Sequence, residues 1–269
     1  MKPLPLNKSN RLKLARAFRN HIRFDTGIDC AVEGQMGRAF ADDADDPTVF
    51  LIEQGGFFAY LAGNAQSPGG RALAAALTGS RLLIPATAGP LPGSDALAGD
   101  DWPAILQQVH GDKFVPVDRY RFSSETVTVA HLDGLLRKSP FADAIQHMDA
   151  ALATRFGDHP QGWVDLGAYE SADDFLARSI GYCVLENDEL IGAAYGSLVC
   201  SRGIEVSIFV HPERRRRGLA TALGATLIRY CWDHNMDANW DAANPASCNL
   251  ALKLGYVARG SYVAHFLRG

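Results

Sequence analysis

The sequence predicts an α/β protein with a mixed sheet, arranged as a smaller mixed α/β domain over residues 1–125 and a more regular domain over 126–269. Three observations carry this expectation. Two stretches read as antiparallel hairpins, "TVFLIEQGGFFAYLAG" turning at Gly55-Gly56 and "GYCVLENDELIGAAYGSLVC" turning at Asn187-Asp188. The second is followed by strand, helix, strand, helix and strand, an alternation that sets helices on both faces of a mixed sheet. At 269 residues, with 47% hydrophobic and 21% charged, the chain has the size and balance of a globular protein of one large or two ordinary domains.

The chain opens with seven basic residues before its first acid, Asp25. This stretch reads as an amphipathic helix with Leu12, Ala15, Phe18 and Ile22 on one face; an organelle transit peptide is the alternative, opposed by the scarcity of serine. "DDADD" (42–46) reads as a solvated loop, and the hairpin of residues 48–63 follows. "RALAAALTGS" reads as a helix, "RLLIPA" as a short strand, and the Gly/Pro-rich residues 88–99 as a loop. "DDWPAILQQVHG" is a helix with Asp100 or Asp101 near its cap, and "KFVPVDRYRF" a strand. No catalytic motif is visible in this half.

In the second half, "SPFADAIQHMDAALATRF" and "SADDFLARSI" read as helices, the latter capped by Ser171. After the hairpin, "IEVSIFV" (204–210) is a strand ended by His211-Pro212. A helix from about Gly218 to Asp233 carries Leu219, Leu223 and Leu227 on one face, with Tyr230 close by. "ANWDA" is a short strand, "PASCNLALKLG" a helix opened by proline and closed by glycine, and "YVARGSYVAHFL" a final strand pair or one long strand. No internal repeat and no heptad run is visible.

Composition excludes several function classes. A net charge of −4 argues against a nucleic-acid binder, and no apolar run approaches the roughly 20 residues that span a bilayer. The five cysteines are widely spaced with no C-x-x-C pair, which fits reduced thiols in a cytoplasmic protein. Neither a calcium loop nor an H-E-x-x-H pattern is present, so no metal is expected.

The most informative stretch is "VHPERRRRGLATAL" (210–223), in which Arg214, Arg215, Arg216 and Arg217 precede a helix. A helix N-terminus already carries partial positive charge, so exposed cations there cost about 0.3–1 kcal/mol each. An anion on the free first-turn amides removes the conflict: Gly218 admits it closely and arginines supply charge-assisted contacts. A solvated basic face or nuclear-targeting patch is the alternative. Neither G-x-x-x-x-G-K-[ST] nor G-x-G-x-x-G occurs; what occurs is strand, proline turn, R-x-x-G-x-A (Arg215, Gly218, Ala220) and helix.

This arrangement, with Glu205 opening the preceding strand and "NPASCNLALKLGY" about 25 residues later, resembles the two acyl-CoA motifs of the GNAT acetyltransferases. "RRGLATAL" with "WDAANPASCNLALKLGY" is similar to a bacterial branch of that family typified by zwittermicin-resistance acetyltransferases, which carry an extra N-terminal domain. The core resemblance spans about residues 181–267. It implies a GNAT acyltransferase fold in the second domain and direct transfer of acetyl from acetyl-CoA to a small-molecule amine. It further implies that the first domain shapes the acceptor pocket, mediates dimerisation, or is a degenerate second half of the same fold.

Carried onto this chain, the resemblance places the acetyl-CoA site at Phe209, Val210, His211, Arg215, Arg216, Arg217, Gly218, Leu219, Ala220 and Thr221, with Asn244 and Ser247 on the second motif. Glu205 is the expected general base, since an amine attacks only when neutral. It lies five strand steps, roughly 16 Å, from Val210, the expected region of the oxyanion donor. His211 is more readily a turn residue than a base, and Asn244 is equally readable as a helix cap. Asp241 either binds the substrate ammonium or caps a strand end. The tyrosine that many family members use as general acid falls at Ala251, with Ser247, Tyr256 or water as substitutes. A CoA-binding module with weak or no catalysis is the rival reading, and a homodimer is an open alternative to a monomer.

Overall fold

The computed structural model describes residues 1–21, 25–86, 101–157 and 164–269. Ile22, Asp100 and the expected loop 88–99 lie outside them. The chain divides into two compact units, one formed by Met1–Asp118 with Tyr262–Gly269 and one by Arg119–Ser261.

The elements of the first half are β1 (Lys2–Pro3), α1 (Lys8–Ala17), α2 (Thr26–Val32), β2 (Arg38–Ala41), β3 (Val49–Gln54), β4 (Phe58–Gly63), α3 (Pro68–Ala76), β5 (Arg81–Pro85), α4 (Trp102–His110) and β6 (Phe114–Ser123). Period-two alternation on β3 feeds two cores. Phe50 and Ile52 pack with Tyr60, Leu82, the helical Leu14 and Ile28, and Phe18, which caps the end of α1. Val49 and Leu51 face the other way, onto Leu73, Trp102, Ile105 and Leu106. The expected face of α1 is corrected: Leu12 is 57% exposed, and Leu14 with Phe18, spaced four apart, fills the core. The "DDADD" segment is a loop tied back on itself, with Asp42 accepting from Thr48 N, Thr48 Oγ1 and Val49 N.

The second half comprises α5 (Val129–Arg137), β7 (Gln146–His147), α6 (Ala150–Gly157), α7 (Ala172–Arg178), β8 (Gly181–Glu186), β9 (Glu189–Cys200), β10 (Gly203–Val210), α8 (Leu219–Asp233), β11 (Asp237–Ala242), α9 (Pro245–Lys253) and β12 (Val257–Leu267). Asn187 and Asp188 both have positive φ, the pairing a tight hairpin turn needs, and the buried Leu219, Leu223 and Leu227 line α8. The long helix expected over residues 139–156 is broken. Gln146 and His147 pair with β8 instead, and Asp149 Oδ1 accepts from Leu152 N to start a shorter helix. Residues 257–267 form one strand.

The two units repeat one topology, which the sequence conceals. The first runs β1-β2-β3-β4-β5-β12 and the second β7-β8-β9-β10-β11-β6. In each, only the fourth and fifth strands are parallel. α3 and α8 occupy the same place between those strands, and α4 and α9 follow them. The last strand of each sheet comes from the other half of the sequence: Tyr262–Leu267 of β12 in the first unit, Arg119–Ser123 of β6 in the second.

Candidate active site

Strands β10 and β11 pair in parallel only over Gly203–Glu205 and Asp237–Asn239. Beyond that point β11 pairs with β6 through Trp240, Asp241 and Ala242. A register shift between Glu205 and Val206, opposite Ser197 on β9, marks where β10 turns away. Such bulges bend a strand and re-aim its side chains. The parting strands open a cleft of about 590 Å³ bordered by Val206, Ile208 and Val210 from β10 and Trp240 from β11.

The N-terminus of α8 forms one wall. Gly218 has φ +89° and no side-chain cap, so the first-turn amides of α8 lack the side-chain acceptor that Ser67, Thr128, Ser171 and Asn244 provide for their helices. A Cβ placed on Gly218 would meet nothing within 4 Å. An uncapped helix start facing open space beside cations is a cradle for an anion.

The four arginines separate into roles. Arg214 is ion-paired to Glu186, and Arg215 Nε donates to Val210 O at 3.2 Å, bracing the turn. Arg216 holds a left-handed φ of +64°, a strained conformation for a non-glycine residue, and lines the cleft. Neither Arg216 nor Arg217 has an ion-pair partner among the described residues.

Glu205 sits where the strands part. Its Oε2 accepts from Asn239 Nδ2 at 2.5 Å and its Oε1 from the Asp241 amide at 3.3 Å. Asp241 is itself gripped by Arg119, whose Nη2 donates to Oδ2 at 2.8 Å with the two side chains only 12% and 16% exposed.

Most residues expected at the site line this cleft: Phe209, Val210, Arg215, Arg216 and Gly218, then Leu219, Ala220 and Thr221, and Asp241, Asn244 and Ser247 on the far side. Glu205, His211 and Arg217 do not line it; the His211 amide donates to Ile191 O as β10 ends. Asn244 caps α9, its Oδ1 accepting from Ser247 N at 3.0 Å, and lines the cleft as well. Sequence reasoning missed Val206, Ile208 and Trp240. The signal for Val206 and Ile208 was present in "IEVSIFV", where alternate residues share one face. Among the described residues no group of three or more His, Cys, Asp or Glu is placed to hold a metal ion.

A model of the GNAT acetyltransferase family matches residues 17–265. The chain belongs to that family. This GNAT chain is similar to an uncharacterized N-acetyltransferase of Bacillus subtilis (strain 168), 23% identical over 175 residues, or 63% of this chain and 64% of the relative. The match thus spans less than two thirds of that relative's length. A solved GCN5-related N-acetyltransferase-like protein from Streptococcus suis 89/1591 superimposes with a TM-score of 0.81 at 26% identity, covering 96% of this chain and 98% of that one. A tandem GNAT protein from the clavulanic acid biosynthesis pathway shares the fold at TM-score 0.51 and 14% identity, over 98% and 97% of the two chains.

Two of the three substitutes for the missing GNAT tyrosine can be compared directly. The Tyr256 hydroxyl is buried and donates to Ala238 O at 2.7 Å, and burial raises its pKa well above the ordinary phenol value. It is corrected as a candidate acid, because its proton is committed inside the core. Ser247 lines the cleft and accepts from Trp240 Nε1 at 3.1 Å. Ala251 itself is fully buried, so its position on α9 faces the core.

Proposed function

We propose that this chain is an acetyl-CoA-dependent N-acetyltransferase that transfers acetyl directly to a primary amine of a small molecule, of the amino-polyol or antibiotic-like kind. What carries the reading is one arrangement: an uncapped α8 N-terminus with Arg216, which has no ion-pair partner among the described residues, opens onto the cleft whose strands part at the Glu205 carboxylate. A pyrophosphate fits the first, and a pantetheine arm fits the stretch of β10 beyond Glu205 that β11 leaves unpaired.

In this reading Arg215, Arg216 and the α8 amides bind the diphosphate, while Phe209, Val210, Leu219, Ala220, Thr221 and Asn244 shape the arm's channel. Arg217, exposed beside them, adds field rather than contact. A backbone amide near Val210 faces the acyl oxygen. Glu205 takes the proton from the acceptor ammonium and keeps the attacking nitrogen neutral. The charge of Asp241 is matched by Arg119, so toward an ammonium it acts as a hydrogen-bond acceptor rather than as a net charge.

The first unit is proposed as a degenerate copy of the second, in keeping with the branch whose members carry an extra N-terminal domain. The repeated topology supports this, and so does a contrast at the matching helix. Ser67 Oγ accepts from Gly70 N at the start of α3, and a Cβ on Gly70 would lie 2.4 Å from Asn64 O. That helix start is capped and packed shut, whereas α8 is open.

Calorimetry with acetyl-CoA, followed by a thiol-release assay over a panel of amines, tests the proposal. One acetyl-CoA bound per chain and release with at least one amine are expected. No binding overturns it. Binding without release by any amine favours the CoA-binding module, the reading that the buried Ala251 supports.

A further inference from the structure

We propose that Ser247, oriented by Trp240, is the hydrogen-bond donor that stabilises the leaving sulfur as it takes up negative charge. The inference deepens the acetyltransferase reading and rests on it.

Pro245 opens α9, and Asn244 Oδ1 caps it at the Ser247 amide. This fixes Ser247 in the first turn, on the side of the helix that borders the cleft. Trp240 follows the point where β11 leaves β10; its ring is buried against Tyr256 at 5.4 Å between centroids. The indole of Trp240 therefore has little freedom, and its N–H points at Ser247 Oγ, 3.1 Å away.

The polarity of that bond is the deciding observation. An indole nitrogen only donates, so Ser247 Oγ must accept from it and cannot return its own proton to Trp240. No hydrogen bond from Ser247 Oγ to another group is found among the described residues. The hydroxyl proton is thus left to point into the cleft, from an oxygen polarised by the indole N–H. Two other side chains are excluded as donors: Ala251 has none to give, and the Tyr256 proton is committed to Ala238 O.

The amine nitrogen forms its bond to the acetyl carbon, the carbon–sulfur bond breaks, and the electron pair stays on sulfur. Glu205 passes the proton taken from the ammonium to solvent, accepts the second proton as the nitrogen becomes an amide, and releases that to solvent as well. A serine hydroxyl is far less acidic than a thiol of pKa about 8.5, so Ser247 keeps its proton and solvates the thiolate instead of protonating it. The first turn of α9, at the positive end of its helix dipole, acts in the same direction.

The test uses CoA itself as the probe and needs no acceptor amine. The ultraviolet absorbance of the bound thiolate is titrated with pH for the full chain, with binding checked by calorimetry. Bound CoA is expected to hold its thiol about one pKa unit below the free value, which is about tenfold more thiolate on the acid side of the titration. Ser247→Ala should abolish most of that shift, Ser247→Thr should retain it by keeping a hydroxyl, and Trp240→Phe should reduce it. A bound CoA thiol with an unshifted pKa in the unmodified protein overturns the inference while leaving the acetyltransferase reading intact. An unchanged shift in Ser247→Ala overturns it too. Failure of CoA to bind at all brings down both readings and is recognised in the calorimeter before any titration.

Discussion

Asn239 and Glu205 face each other across the last paired position of β10 and β11, and the Asn239 amide donates to Glu205 Oε2 at 2.5 Å. The contact falls at the position where the strands stop pairing, so it fixes the carboxylate at the mouth of the opening they create. Glu205→Gln is expected to lower kcat/KM by about 10²–10⁴-fold, the range of a lost general base. Asn239→Ala should lower kcat by a smaller factor. In the Glu205→Gln background it should do almost nothing, because residues that act as one unit are not additive. Steady-state kinetics on the two single variants and the double variant check this; additive losses would separate Asn239 from Glu205.

The arginine run should respond unequally to substitution. Arg216→Ala removes a cation with no ion-pair partner among the described residues, and acetyl-CoA affinity should fall about tenfold or more. Arg214→Ala removes one already held by Glu186, and the loss should stay within about threefold. Calorimetry at low and high salt checks both, and the gap between the variants should narrow as salt screens exposed charge.

Thiol chemistry gives an independent check on the packing. Burial pushes the Cys183 thiol up to about 11 and Cys231 up to about 12, and Cys30 and Cys200 are buried as well. Only Cys248, half-buried on α9, is accessible. A disulfide exchange reagent at neutral pH should therefore titrate one thiol quickly and the other four only on denaturation. Rapid reaction of two or more thiols in the native protein would contradict the packing around α8 and β8.

Stability should fall on mild acidification because of His265. Its ring stacks on Phe114 at 4.2 Å, its Nδ1 is buried with no hydrogen-bond partner among the described residues, and desolvation lowers its pKa from the ordinary 6.5. With the folded pKa below the unfolded one, the unfolded chain takes up the proton first as pH drops. This contribution is intact above pH 6.5 and erodes below it, down through the lowered folded value. Urea unfolding at a series of pH values should show the decline, and His265→Gln should flatten that part of the profile.

The sequence alone determined the elements whose signals are local. The glycine turn at Gly55-Gly56, the Asn187-Asp188 turn, the Ser171 cap and the leucine face of α8 each depend on neighbours within a few residues. The uncapped, cationic start of α8 was legible for the same reason, since its charge conflict lies within four consecutive arginines. Tertiary structure decided what rests on distant partners. Residues 139–156 have helical composition, yet Gln146 and His147 gain more from pairing with β8. The repeated topology was hidden because strand order and direction constrain burial pattern, and many residue choices satisfy the same pattern. The same holds at the site: Arg119 reaches Asp241 and Asn239 reaches Glu205 across 122 and 34 positions, and Trp240 meets Ser247 only because β11 and α9 fold together. Local chemistry named the cations at the start of α8; long-range packing chose the groups that hold the carboxylate and the hydroxyl.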